Sequence, residues 1–198
     1  MFLGKKKVSK KVSTEIKNTL ISQEMELEGI LKGEGAVQIE GIFTGDIEVT
    51  SVVIGENGIV NGTIKAKNVI VNGYLNGSVS CSALEIMPNG SVSKAIQVQK
   101  VLIAGIANGT IEAQEEIKLE RIAKVNVTLM KGKNIIVNGL FRGKLIASEL
   151  LIIGSNGSIT GEITVKNIKT YEGGKLRGSI HNYLEDEIFT PLQENSLN

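Results

Sequence analysis

The sequence predicts an all-β fold: a single-stranded β-helix (β-solenoid) of about nine turns of 15–18 residues. Three observations predict it. A two-glycine motif recurs at near-constant steps, the residues around it alternate apolar and polar with period two, and helical spacing recurs nowhere in the body of the chain.

The motif is G-x-x-x-G-x-[I/V/L]. It supplies Gly41 and Gly45, Gly58 and Gly62, Gly73 and Gly77, Gly105 and Gly109, Gly139 and Gly143, Gly157 and Gly161, and Gly174 and Gly178. The copy at 90–96, GSVSKAI, lacks the second glycine. The copy at 121–127, RIAKVNV, lacks both, with Arg121 and Val125 in their places. The nine copies step by 15 to 18 residues. Glycine and Asn-Gly corners suit such a chain, because positive φ costs these residues little.

Aligned on the first glycine, the residue two on is Phe43, Val60, Leu75, Val92, Ala107, Ala123, Phe141, Ile159 or Leu176. Six on stands an Ile, Val or Leu in every copy, ending at Ile180, and eight on a run from Val49 through Cys81 to Val165. The residue three on is polar throughout, from Thr44 to Arg177. Period two over short segments means strands with one buried face. A further apolar pair, such as Val69/Val71 or Ile135/Val137, precedes most copies. One such turn cannot bury its apolar side alone, but stacked turns bury continuous ladders.

The alternation begins before the first copy, at Met25/Leu27, Leu31 and Val37/Ile39, so a shorter turn is expected to open the rod. Asn182 breaks the eight-on column and marks its end. The expected organisation is a flexible basic arm over 1–18, the solenoid over 19–182 and an acidic tail over 183–198. Residues 1–17 hold six lysines against Glu15, whereas 183–198 hold Glu185, Asp186, Glu187 and Glu194 with no base. The tail stretch YLEDEIFTPL is the only readable lid for an open end.

Composition removes several function classes. One His and one Cys exclude a three-histidine zinc site, a cysteine-ligated metal and a disulfide framework. A net charge of +1 and 41% hydrophobic residues argue against a nucleic-acid binder and against disorder. No glycine-rich stretch has the spacing of a phosphate loop, and no cofactor is expected. Cys81 stands in an inward column and reads as a packed thiol; His181 is alone and outward. The six N-x-[S/T] strings are largely the repeat itself. The N-terminus has no apolar stretch of signal-peptide length, and the chain is expected in the cytoplasm.

The stretch TLISQEMELEGILKGEGAVQIEGIFTGDI (19–47) resembles the start of a bactofilin domain, and GENGIVNGTIKAKNVIVNGYLNGSV (55–79) is similar to its body. The resemblance to this bacterial polymer-forming cytoskeletal family covers about residues 19–182. It implies a right-handed β-helix that polymerises end to end, without nucleotide, into non-polar filaments scaffolding cell-shape or cell-wall machinery. MFLGKKK looks like the family's short membrane-targeting start. It points to Phe2, Leu3, Lys5, Lys6, Lys7, Lys10 and Lys11 as the contact with the anionic inner face of the cell membrane.

Several functions compete. A scaffold would use open end strands and exposed ladder members to stack on another copy, with Leu27, Leu31 and Ile39 at one end and Leu176 and Ile180 at the other. A left-handed β-helix acyltransferase would need a hexapeptide repeat and a histidine base; turns of 15–18 residues do not divide into regular hexapeptides, and His181 is solitary. A secreted adhesin-like solenoid would need an export signal. The expectation is therefore a non-enzymatic homopolymer that binds the membrane surface and recruits envelope enzymes.

Overall fold

The structure, a computed structural model, describes residues 18–184. All of the basic arm but Asn18, and all but the first two residues of the acidic tail, lie outside it.

Fourteen strands and no helix make up the described chain. In order they are β1 (Asn18–Ile21), β2 (Glu26–Lys32), β3 (Ala36–Ile39), β4 (Ile42–Glu48), β5 (Ser51–Ile54), β6 (Ile59–Val71) and β7 (Tyr74–Ile86). Then come β8 (Ser91–Ser93), β9 (Ala95–Ile103), β10 (Ile106–Leu119), β11 (Lys124–Val137), β12 (Leu140–Ile153), β13 (Ser158–Thr170) and β14 (Lys175–Asn182). Every pairing is parallel, and each coil pairs with the next. This is a β-solenoid of about ten coils. The coil beyond the nine motif copies is the first, the opening turn, in which β2 and β3 form a full coil beneath β4 and β5. Ten coils at the ~4.8 Å spacing of paired strands make a rod about 45 Å long.

Each coil has three short sides. In the third coil the first side is Ile59–Asn61, the second follows Gly62, and the third is Asn68–Val71. The inward columns are buried: Phe43, Val60, Leu75 and Ile159 on the first side, Ile47, Ile64 and Ile163 on the second, Val52 and Ile54 with their successors on the third. No polar or charged side chain is buried among the described residues. Outward, neighbouring coils meet through side-chain contacts such as Asn76 Nδ2 donating to Asn61 Oδ1 (3.1 Å) and Lys32 paired with Glu48 (3.0 Å).

The two glycine columns serve different needs. Most second glycines have positive φ, as at Gly62 (149°), but Gly77 does not. What they share is contact: a Cβ on Gly62 would strike the Gly45 carbonyl oxygen, and one on Gly77 that of Gly62. First glycines such as Gly41, Gly58 and Gly73 have no positive φ either; a Cβ there would meet carbonyl oxygens of the coil below. Nor do the corner asparagines turn left-handed, since Lys94 is the one non-glycine at positive φ among the described residues (86°). Lys94 occupies the missing second glycine of the 90–96 copy. The corners are therefore set by close backbone approach as much as by dihedral freedom.

The register of the degenerate copy is corrected by the pairing. Ile106 pairs with Lys124, Ala107 with Val125 and Gly109 with Val127, so Ala123 and Val127, not Arg121 and Val125, stand at the glycine positions. Arg121 lies in the exposed turn that precedes the coil. Thr128 is an extra residue: Val127 opposes Gly143 and Leu129 opposes Lys144. A valine does not make the glycine's left-handed bend, and a one-residue bulge turns the corner instead. Thr128 Oγ1 donates to the Gly109 carbonyl (3.1 Å). Beyond the bulge the inward phase moves by one, so Met130 fills the column where Val127 was expected.

Candidate polymerisation surfaces

The rod has two ends, and at each the strands lack a partner among the described residues. At the N-terminal end β1 pairs only with β3 and β2 only with β4. At the C-terminal end β14 and the Asn167–Thr170 segment of β13 pair only downward. Free N–H and C=O rows on parallel edges are templates for another chain.

The ladders reach those ends uncovered. Phe43 and Ile47 are 3% and 1% exposed, whereas Leu27, one coil nearer the end, is 38% exposed and Leu31 is half-buried. At the other end Ile163 is fully buried and Ile180, directly above it, is 53% exposed; Leu176 is half-buried. The same residue types in the same columns are core inside the rod and surface at its tips.

Four of the five expected end residues thus lie exposed or half-buried on the terminal coils. Ile39, on β3 of the first coil, is covered. It is fully buried, because β1 lays Ile21 directly against it and forms the outermost strand of the third side. The β-branched Thr19 and Ile21, two residues apart, are the only sequence signal for that extra strand. Other exposed apolar side chains join the ends: Leu20, Met25 and Ile30 at one, Ile168, Tyr171 and Leu184 at the other. Lys169 Nζ lies 4.8 Å from the Tyr171 ring centroid.

Elsewhere the chemistry is sparse. Cys81 sits at the corner between the second and third sides, where burial pushes its thiol up to about 12 and Sγ donates to the Ala83 carbonyl (3.4 Å). A thiol of that pKa is a packing group at neutral pH. His181 is exposed on the last strand. Among the described residues no group of three or more His, Cys, Asp or Glu is placed to hold a metal ion, and no helix is long and apolar enough to cross a membrane.

The sequence model of the bactofilins, described as polymer-forming cytoskeletal, matches residues 19–104, 75–134 and 95–181. The chain belongs to the bactofilin family. Its overlapping matches run from the first described strand to the last, as expected where one domain pattern can be laid on a longer stack of similar coils. No curated protein and no solved structure matches the chain. For this bactofilin the family description, polymer-forming, calls for a surface that joins one subunit to the next.

Proposed function

We propose that this protein is a cytoskeletal scaffold that assembles end to end, without nucleotide, into filaments held at the inner face of the cell membrane, where they position cell-shape or cell-wall machinery. The observation that carries the reading is the exposure of the core ladders at both tips beside unpaired strand edges. Stacking two tips would extend the strand hydrogen-bonding from one subunit to the next and remove Leu27, Leu31, Leu176 and Ile180 from water. Assembly of this kind follows mass action, with no bound phosphate to switch it.

The arm supplies the membrane half of the proposal. Phe2 and Leu3 enter the interface while Lys5, Lys6, Lys7, Lys10 and Lys11 lie against anionic headgroups; all seven fall outside the described residues. Each lysine contributes at most ~1 kcal/mol near such a surface, falling away within a Debye length. With two small apolar side chains, one arm binds with an affinity on the order of 0.1 mM. A filament presents many arms on one body, and avidity adds ~10²–10⁴ with no new contact.

The test is co-sedimentation with anionic vesicles, without nucleotide, alongside pelleting of the protein alone. Wild-type protein should pellet above a threshold concentration and bind vesicles. Deleting residues 2–7 should leave filaments that no longer bind. An end-charged variant, Leu176→Lys, should leave subunits that neither pellet nor bind, despite an intact arm. Subunits that bind as well as filaments would refute the coupling, and binding that survives the deletion would remove the arm from the mechanism.

A further inference from the structure

The first side of the rod is not the polar wall that the three-on positions suggest. One residue before its inward column stands a second outward column, and five of its ten members are apolar: Ile42, Ile59, Tyr74, Ile106 and Leu140. Tyr74, Ile106 and Leu140 are 51%, 42% and 53% exposed. Together they form an apolar stripe along the rod, distinct from its ends.

The charges on this side are sorted by position. Its only acids, Glu26 and Glu28, are in the first coil. Its bases are all toward the other end: Lys124, Arg142, Lys175 and Arg177. None of these six takes part in an ion pair among the described residues. The second side differs, for its charges close on each other between adjacent coils, as in Lys32–Glu48 and Lys144–Glu162. The third side also exposes apolar residues such as Ile70, but Lys100–Glu115 and Lys118–Glu120 neutralise its charges locally.

We infer that the first side is a lateral docking surface for a second copy of this chain, and that the two rods pair antiparallel. Charge decides the direction. Face-to-face packing about a twofold axis along the rods sets equal coils together with the two outward columns crossed. Glu26 would then face Glu28, and Lys175 would face Arg177. A twofold axis across the rods sets the first coil against the tenth with each column facing itself. Glu26 then faces Lys175, Glu28 faces Arg177, Tyr74 faces Lys124, and Ile59 faces Leu140. Like-charge contacts become opposite-charge ones, and one apolar pair, Ile59 with Leu140, meets across the joint.

The size of the surface sets its strength. A face ~45 Å long and ~10 Å wide buries on the order of 900 Å² over both partners, slightly under the ~1,000 Å² of a stable specific interface. Two isolated rods therefore pair weakly, while two filaments pair through every subunit at once. Lateral pairing is independent of the contact at the tips, so a filament can be single or double with the same axial join.

Cross-linking tests it on the full chain. Variants Ile59→Cys and Leu140→Cys are prepared separately, mixed, and treated with a short thiol cross-linker; the wild-type chain, with Cys81 as its one thiol, is the control. The mixture should give a 59–140 dimer, and neither variant alone should give one. Adding Lys175→Glu and Arg177→Glu to both should cut the yield at least tenfold. Adding Glu26→Lys and Glu28→Lys as well should restore it. Pelleting of the same samples reads end-to-end assembly separately. A dimer from Ile59→Cys alone would mean parallel pairing and overturn the inference, as would a yield unchanged by charge reversal or no cross-link in assembled protein.

Discussion

A single methyl group on Gly62 should cost the rod about 2–5 kcal/mol, because it combines backbone strain of order 1–3 kcal/mol with a forced contact of similar cost. Gly62 has φ 149°, and its Cβ would run into the Gly45 carbonyl oxygen, which is held in the ladder and has nowhere to go. Three neighbouring substitutions separate the causes. Gly77→Ala keeps the clash, against the Gly62 carbonyl oxygen, without positive φ, and should cost about 1–3 kcal/mol. Gly29→Ala keeps the φ (143°) with nothing within 4 Å of the new Cβ, and should cost about 1–2 kcal/mol. Gly33→Ala has neither and should change stability by less than about 0.5 kcal/mol. Lys94→Gly runs the other way: relief of the left-handed strain should exceed the added chain entropy by about 0.5–1 kcal/mol. Thermal melting checks the series at roughly 2–4 °C per kcal/mol for a chain of this size. If Gly62→Ala and Gly33→Ala melted together, close packing of the coils at the glycine column would be wrong.

Leu31→Lys or Leu176→Lys should abolish filaments and leave the subunit folded. Both positions are half-buried on terminal coils, so in a free rod the lysine stem can lie along the ladder with its ammonium in water. In a stacked joint the same ammonium would be buried without a partner, a cost of several kcal/mol per end. The threshold concentration for pelleting should rise more than about 100-fold, the equivalent of ~2.7 kcal/mol. Far-ultraviolet circular dichroism should remain β-rich. Long filaments from both variants would place the joint somewhere other than the tips.

The class of fold was legible because a solenoid repeats its instruction. Period-two alternation and the glycine pair recur often enough that local noise averages out, and nine of the ten coils are readable from the motif alone. The degenerate copy shows the limit. Without a glycine to fix the frame, alignment on the apolar letters misses the register by two residues, and only inter-coil pairing reveals that Thr128 is a bulge, that Val127 is buried at a glycine position and that Met130 fills the six-on column. Ile39 shows another. A four-residue strand, β1, covers it, and Asn-Thr-Leu-Ile is too short and lacks the alternation by which a strand is read from sequence. The glycine columns were found for an incomplete reason: sequence suggests dihedral freedom, while the contact of each missing Cβ with a carbonyl of the coil below is visible only once the coils are stacked. The apolar stripe on the first side is hard to read in sequence because half of its column is polar and it stands beside the polar three-on column.

Electron microscopy of purified full-length protein, in buffer free of nucleotide, tests the central claim most directly. End-to-end stacking predicts thin filaments with an axial subunit repeat near the ~45 Å length of a ten-coil rod. Uniform single rods at high concentration, or filaments whose axial repeat equals the width of a rod, would contradict it.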